Sequence, residues 1–400
     1  MQSLWKVKPN MIEDFGIGNG AGSAHPDLTG LNMISRLAGL PYEVPNFYSN
    51  RHCASSMETM HRIAMAIILG EYDCGIAFGV ERMTRELMGG RGAPAEETRI
   101  NSFNTRTLEP TQEQRDMALD HFEYFSVPIP DSILDSTPLV SMVQTAQNIV
   151  EMYDLSREEL DAFALRSQHK LAAAYEAGIY KDEVIPLEVE DPVFDEDGNW
   201  VEKEKGPMIV FDKDECIRPN TTMEGLAKLK PVRGIVSYNN QELRITAGNS
   251  CPTNTAAAAL LIMSEEKAIK LGLEPLARII GWGNGGVKQQ IMGLGPIVST
   301  IKALRHAELE TDQIDRVEFN EAFAAQVIPS LKDLNIPEEK VNVNGGSIGI
   351  GHPVGATGAR MAMTLCKELR RSGKRFGLIT QCIGAGQGAT TIFENMDRSC

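Results

Sequence analysis

The sequence predicts an α/β protein, and three observations carry that prediction. Short apolar runs alternate with helix-like segments over residues 11–80, and the same alternation returns in the C-terminal third. Each of these regions sets a cysteine or a histidine at a strand-to-helix junction, which suggests a duplicated architecture, although no internal repeat aligns clearly. The 400 residues are 42% hydrophobic and 23% charged, which supplies a sizeable core and is too apolar for wholesale disorder. By length, such a chain folds as roughly two or three domains.

The elements follow in chain order. Met11 to Gly18 reads as a strand end feeding a glycine-rich turn. Met57, Met60, Ala64, Ile67 and Ile68 recur at helical spacing and predict a helix over 54–69, after which Asp73 to Val80 reads as a buried strand. From Glu86 to Pro138 glycines, prolines and charges alternate with aromatic residues, as in a long excursion over the surface. Ser156 to Glu159 has the pattern of a capping box, Leu160, Phe163, Ala164, Leu171 and Ala174 continue the apolar stripe behind it, and Gly178 is placed to end that helix. The acidic stretch 188–206 reads as a solvated hairpin or loop. Arg316 to Phe319 is a short strand, 355–371 a helix, and Arg375 to Thr380 a strand that runs into glycines.

Composition excludes several classes of function. Thirty-nine basic against fifty-four acidic side chains leave a net charge of −15, so overall charge cannot recruit a nucleic acid. The longest uninterrupted apolar stretch, Ala256 to Met263, is far below the ~20 residues of a membrane span. Met1 to Asn10 lacks the basic-then-apolar pattern of a signal peptide. Seven scattered cysteines, none in a CxxC pair, fit neither a secreted disulfide framework nor a cysteine zinc site. A cytoplasmic protein of a reducing compartment is the expectation.

Four segments place rare residue types in constrained surroundings. Asn50 to Ser56 puts Cys53 directly before the amphipathic helix, where free backbone N–H groups and the helix dipole favour thiolate over thiol. Taken alone, Cys53 reads equally as a nucleophile or as a small residue packing the turn. The glycine-dense run Gly345 to Gly358 lacks GxxxxGK[ST] and does not follow the strand-GxGxxG-helix pattern, so it is no phosphate loop. It holds His352 where a helix begins, with Pro353 suited to the first turn, and so frames a histidine for proton transfer. Gln381 to Gly388 follows a strand, and Gly384 can turn backbone N–H groups toward a point beside Cys382; a plain glycine-rich turn is the other reading. Asn320 to Gln326 follows a strand too, and alone it reads as an ordinary helix start with Asn320 as N-cap.

Taken together, these segments resemble the thiolases, enzymes that make or break a carbon–carbon bond between acyl-CoA units. The Cys53 segment is similar to the family's nucleophile motif, Asn320 to Gln326 to its NEAF motif, Gly351 to Gly358 to GHPxGATG, and Cys382 to Gly384 to CxG. Ser156 to Gln168, Thr246 to Asn249 and Met292 to Pro296 add to the likeness, which runs from about residue 11 to 395. The resemblance implies duplicated βαβαβαββ halves in a five-layer αβαβα stack with an inserted loop domain. The halves would be 1–85 plus about 251–275 and 276–400, with a CoA-contacting loop domain over 86–250. It implies Cys53 as acyl acceptor, His352 as its base, Cys382 as acid/base toward the acetyl-CoA carbanion, and Asn320 as holder of a water in one oxyanion hole. The backbone N–H groups of Cys53 and Gly384 would form the other hole. CoA and acyl-CoA are the implied substrates, with no metal or tightly bound cofactor. A homodimer or homotetramer, or assembly with a partner subunit, is also implied.

The chain departs from the family pattern in three places. The family's first strand and helix are missing ahead of Met11, and that strand is expected in the centre of the N-terminal sheet, where its loss would orphan backbone groups. Cys251 falls where the family has a CoA-contacting serine, with Ser250 as a stand-in, while Arg218 remains a partner for the CoA nucleotide. Ser141-Met142-Val143 replaces a motif ending in Met-Gly near the acyl pocket; Met142 and Phe323 complete the substrate contacts. A ketoacyl-synthase-like condensing enzyme and a catalytically silent subunit are the alternatives to a working thiolase.

Overall fold

The computed structural model describes residues 6–20, 33–83, 124–134, 136, 140–195 and 200–396. Most of the expected surface excursion between Glu86 and Pro138, and Cys400, therefore lie outside the described residues.

Strands β1 (Asp14–Gly18), β2 (Asn46–Ser49) and β3 (Cys74–Glu81) form the parallel part of the first sheet, and helix α1 (Ser55–Ile68) connects the last two. The helix forms where the apolar spacing places it: Met57, Met60, Ile63 and Ala64 are buried along one face. Beyond it, α2 (Met142–Tyr153) and α3 (Arg157–Glu176) follow, the second with the expected capping box at Ser156 and with Gly178 in the left-handed region (φ 72°) just past its end. The acidic stretch folds as an antiparallel hairpin of β4 (Leu187–Phe194) and β5 (Trp200–Phe211). Strand β6 (Ala256–Met263) then returns antiparallel to β3 and gives the order β2-β1-β3-β6.

The C-terminal half repeats this plan. After α4 (Glu265–Leu271) come β7 (Ala277–Gly286), α5 (Gly295–Ala307), β8 (Arg316–Phe319), α6 (Ala324–Asp333), α7 (Thr357–Ser372), β9 (Phe376–Ile383) and β10 (Gln387–Asn395). The second sheet has the order β7-β10-β9-β8, and Val341 adds a parallel bridge outside β8 at Val317. In both sheets a parallel pair (β1 with β3, β8 with β9) is followed by an antiparallel strand (β6, β10). Helices α1 and α7 occupy corresponding places and pack together: Met57, Met60 and Ile63 share one core cluster with Met361, Leu365 and Leu369. The duplication suggested by two strand-to-helix junctions is a feature of the topology.

This correspondence corrects one expectation. In the second sheet the half begins with β7, which lies at an edge beside β10. The matching place in the first sheet is the outer edge of β6, where no strand lies among the described residues. A strand corresponding to β7 would thus lie at that edge and not in the centre, and β1 is paired on both sides, so no central backbone groups are orphaned.

Candidate active site

Cys53 lies in a single 3₁₀ turn, His52–Ala54, that opens directly into α1. His52 holds the left-handed region (φ 45°), an uncommon conformation for a residue with a side chain, and it sets the direction in which the chain enters the cysteine. The Cys53 sulfur accepts hydrogen bonds from its own backbone N–H and from that of Gly384. Gly384 belongs to the turn between β9 and β10, where Ala385 and Gly386 both have positive φ. The two N–H groups expected of an oxyanion hole therefore converge on the sulfur.

Cys382 is buried near the end of β9, so close to Cys53 that a charge on one raises the pKa of the other, and the Gln326 side chain hydrogen-bonds its thiol. Burial is the main cause that pushes the Cys382 thiol well up, and Cys53 and Cys251 add to it. Cys251 is a third thiol of the same site. Its backbone N–H donates to Ala322 at 3.0 Å, Ser250 bridges Phe323, and the neighbouring Pro252 carbonyl accepts from the His352 N–H at 3.4 Å. The segment 250–252 thus spans the gap between the Asn320 and His352 loops.

His352 is buried in the loop ahead of α7, which starts only at Thr357. Pro353 is not in the first turn of that helix; its carbonyl instead closes the turn by accepting from the Ala356 N–H at 2.7 Å. The imidazole bonds Asn320 Nδ2 through Nε2 at 3.3 Å and Thr357 Oγ1 through Nδ1 at 2.7 Å. Asn320 is not a helix cap either, since α6 begins at Ala324 with Phe323 ahead of it. The neighbouring Glu321 is a buried clamp, bonded to Ser167 Oγ at 2.6 Å, Asn342 Nδ2 at 2.6 Å and the Ile348 N–H at 3.0 Å.

Electrostatics correct the expected thiolate. Burial pushes the Cys53 thiol up to about 11, and the hydrogen bonds from Gly384 and its own N–H offset this only in part. Burial likewise pushes His352 down to about 3, with Arg360 adding to the effect. At neutral pH the resting pair is a neutral thiol and a neutral imidazole, and the imidazole keeps a lone pair for a proton. Iodoacetamide labelling of Cys53 in the free protein should therefore keep rising through the alkaline range toward about 11, with no step near the ordinary histidine value. Peptide mass spectrometry across pH checks this; a rate already level at pH 8 would contradict it.

The seam between the halves ties the start of α1 to the histidine loop, with the Ser56 N–H donating to the Gly355 carbonyl at 3.2 Å. Glu81, at the end of β3, accepts from Asn19 Nδ2 at 3.0 Å, the Gly20 N–H at 2.8 Å and the Gly355 N–H at 2.9 Å. It is buried, and it ties the turn after β1 to the histidine loop of the other half. Around it the backbones touch: a Cβ on Gly79 would meet the Gly355 oxygen at 2.5 Å, and one on Gly355 would meet Asn19 Cα at 2.7 Å. Glu81→Ala leaves three buried donors without this acceptor, and at about 1–3 kcal/mol for each unsatisfied group the loss of stability should reach several kcal/mol. Urea denaturation measures it, and a loss under about 1 kcal/mol would show that the clamp is dispensable.

The remaining expected contacts are placed less centrally. Arg218 is exposed, and its Nη1 donates to the carbonyls of Glu215 at 2.6 Å and Ile217 at 3.0 Å in its own loop. The Ser250 hydroxyl donates to Thr246 at 2.7 Å, so its proton is not free for a ligand. Met142 is the first residue of α2 and is exposed, whereas Phe323 is buried in the main core. Sequence reasoning missed Glu81, Ser347, Thr357 and Arg360; an acidic residue closing the apolar strand of Cys74 to Val80 was the one signal that pointed to Glu81.

Comparison with known proteins bears on the family and the fold. The family model described as "Thiolase, N-terminal domain" matches residues 3–266, and "Thiolase, C-terminal domain" matches residues 273–395. The 3-ketoacyl-CoA thiolase of Bacillus subtilis (strain 168) is 38% identical over 383 residues, 96% of this chain and 87% of that protein. The beta-ketoadipyl-CoA thiolase of Pseudomonas aeruginosa is also 38% identical, over 95% of this chain and 86% of its own length. Among solved structures, the Bacillus anthracis acetyl-CoA acetyltransferase superposes with a TM-score of 0.76 at 32% identity, covering 99% of this chain and 90% of that one. Human mitochondrial 3-ketoacyl-CoA thiolase in complex with CoA gives a TM-score of 0.75 at 30% identity, covering 98% and 89%. With both halves matched and relatives aligned over nearly its whole length, the chain belongs to the thiolase family.

Proposed function

We propose that the protein is an acyltransferase that cleaves a 3-ketoacyl-CoA with CoA to acetyl-CoA and a shortened acyl-CoA, reversibly as a Claisen condensation. The observation that carries this reading is the meeting of two thiols, one of them held by a pair of backbone N–H donors, with the loop of a neutral histidine tied to the start of α1. His352 Nε2 takes the Cys53 proton, and the sulfur attacks the 3-keto carbon. The Cys53 and Gly384 N–H groups hold the oxygen that becomes negative. The C2–C3 bond breaks, and the electron pair stays on the acetyl-CoA carbanion. Cys382, kept protonated by its raised pKa, is the acid that quenches it and afterwards the base that takes the CoA thiol proton. The CoA sulfur then displaces Cys53 from the acyl group, and the released Cys53 thiolate recovers its proton from His352. Asn320, hydrogen-bonded to His352 Nε2, would hold the water of the other oxyanion site.

The second thiol separates this reading from a ketoacyl-synthase-like enzyme, and a solved relative holding CoA supports CoA and acyl-CoA as substrates. Arg218, Ser250, Cys251, Met142 and Phe323 enter as contacts around them, with Cys251 the best placed. The homodimer or homotetramer belongs to the same proposal and is checked by sedimentation velocity. No tightly bound cofactor is needed for the steps above. A cytoplasmic location fits six described cysteines that are all free, and no helix among the described residues is long and apolar enough to cross a membrane.

Loss of 3-ketoacyl-CoA enolate absorbance on adding CoA, run over a series of acyl-chain lengths, tests the function and ranks its substrates. Absence of turnover at every length from folded protein would favour the silent subunit.

A further inference from the structure

A line of hydrogen bonds leads away from the imidazole into the C-terminal half. Asn320 Nδ2 meets His352 Nε2 at 3.3 Å, and Asn320 Oδ1 accepts from the Ser347 hydroxyl at 2.7 Å. Ser347 Oγ accepts from Arg360 Nη2 at 3.0 Å, and Arg360 Nη1 pairs with Glu318 at 3.2 Å. On the other side of the ring, Nδ1 lies 2.7 Å from Thr357 Oγ1, whose hydroxyl donates to the Pro353 carbonyl at 3.1 Å. Asn320, Ser347, His352 and Thr357 are all buried, so no solvent competes for these positions.

The direction of the line is set at its cationic end. A guanidinium can only donate. Ser347 Oγ is therefore an acceptor toward Arg360, and its single proton is best used on Asn320 Oδ1. If the Asn320 amide were turned over, two donors would face one serine oxygen and the serine proton would have no acceptor, a costly arrangement in a buried site. With Oδ1 held by serine, Nδ2 faces the imidazole, and Nε2 must be its unprotonated nitrogen. A neutral imidazole then carries its proton on Nδ1, which donates to Thr357, and Thr357 passes its own proton to a backbone carbonyl.

We propose that Arg360, acting through Ser347 and Asn320, is a positioning residue that fixes His352 as the Nδ1–H tautomer and so leaves Nε2 as its unprotonated, proton-accepting nitrogen. The consequence for catalysis rests on the reading of His352 as the base; the tautomer itself does not. Arg360 lies on α7, and the acidic groups around its partner Glu318 are Glu183, Glu321 and Glu368. Removing Arg360 alone strands Glu318, so the clean variants are Ser347→Ala, which deletes one oxygen, and the pair Glu318→Gln/Arg360→Met.

The test uses the full chain labelled with ¹⁵N-histidine, with the His352 signals identified by their loss in His352→Asn. The native protein should show a pyridine-type Nε2 and a pyrrole-type Nδ1. Ser347→Ala and Glu318→Gln/Arg360→Met should shift His352 toward the Nε2–H form. Their kcat should fall by about 10–100-fold, near the lower end of what a positioned general base supplies, with KM nearly constant. Arg360→Lys, which keeps a donor-only group, should recover the native tautomer and most of the turnover lost in the methionine variant. A pure Nδ1–H signal in Ser347→Ala and in the double variant overturns the proposal whatever their rates. Full turnover in His352→Asn would instead overturn the catalytic reading, with the spectra still deciding the tautomer.

Discussion

Cys53→Ser should leave the protein unable to form an acyl-enzyme. After incubation with acetyl-CoA, the native chain gains one acetyl group by intact mass and the serine variant stays unmodified. Thiolysis should fall by on the order of 10³-fold or more, as when other covalent enzymes lose their nucleophile. The reason lies in the base. Burial pushes His352 down to about 3, which makes the imidazole too weak to take a proton from an alcohol, while a thiol held by two backbone donors is a far more tractable acid. Acetyl labelling that persists in the variant would place the nucleophile elsewhere, and Cys251 would be the first residue to examine because its thiol shares the site.

Cys382→Ser should divide the reaction into its halves. Acyl transfer from acetyl-CoA to Cys53 needs the nucleophile and the histidine, so labelling by intact mass should remain near the native extent. Condensation and thiolysis both need a proton moved at the carbanion, and they should drop by about 10²–10⁴-fold, the usual contribution of a positioned acid or base. A hydroxyl in this buried pocket is too weak an acid to substitute for the thiol. Equal loss of labelling and condensation would contradict the separate roles given to the two sulfurs.

How much of this was legible in the sequence differs with the range of each interaction. Local rules were enough for α1, for the Ser156 capping box and for β8, because apolar spacing and neighbouring side chains decide those elements. Motif resemblance brought Cys53, His352, Cys382, Asn320 and Gly384 into one hypothesis; the fold brings Cys53, Cys382 and Gly384 together and pairs His352 with Asn320. What the sequence hid was long-range. The helix-dipole argument for a Cys53 thiolate ignored the wall that the β9–β10 turn builds over the sulfur, and desolvation outweighs the dipole there. Asn320 resembles a helix cap until its side chain is seen bonded to residues 27 and 32 positions away. Ser347 and Arg360 carry no local mark at all; their part follows from which oxygen each one faces. The edge position of a half's first strand was equally hidden, since strand order is a property of pairing between segments far apart in the chain.

The pairing of Glu81 with Ala256, the last residue of β3 beside the first of β6, has a wider consequence. The chain leaves the sheet at Glu81 and comes back beside it at Ala256, yet on the way its helices α2 and α3 enter the same core cluster as Phe323 and Cys382. Trimming or exchanging that stretch would strip packing from the core that holds Cys382 and take the Ser167 hydroxyl away from Glu321.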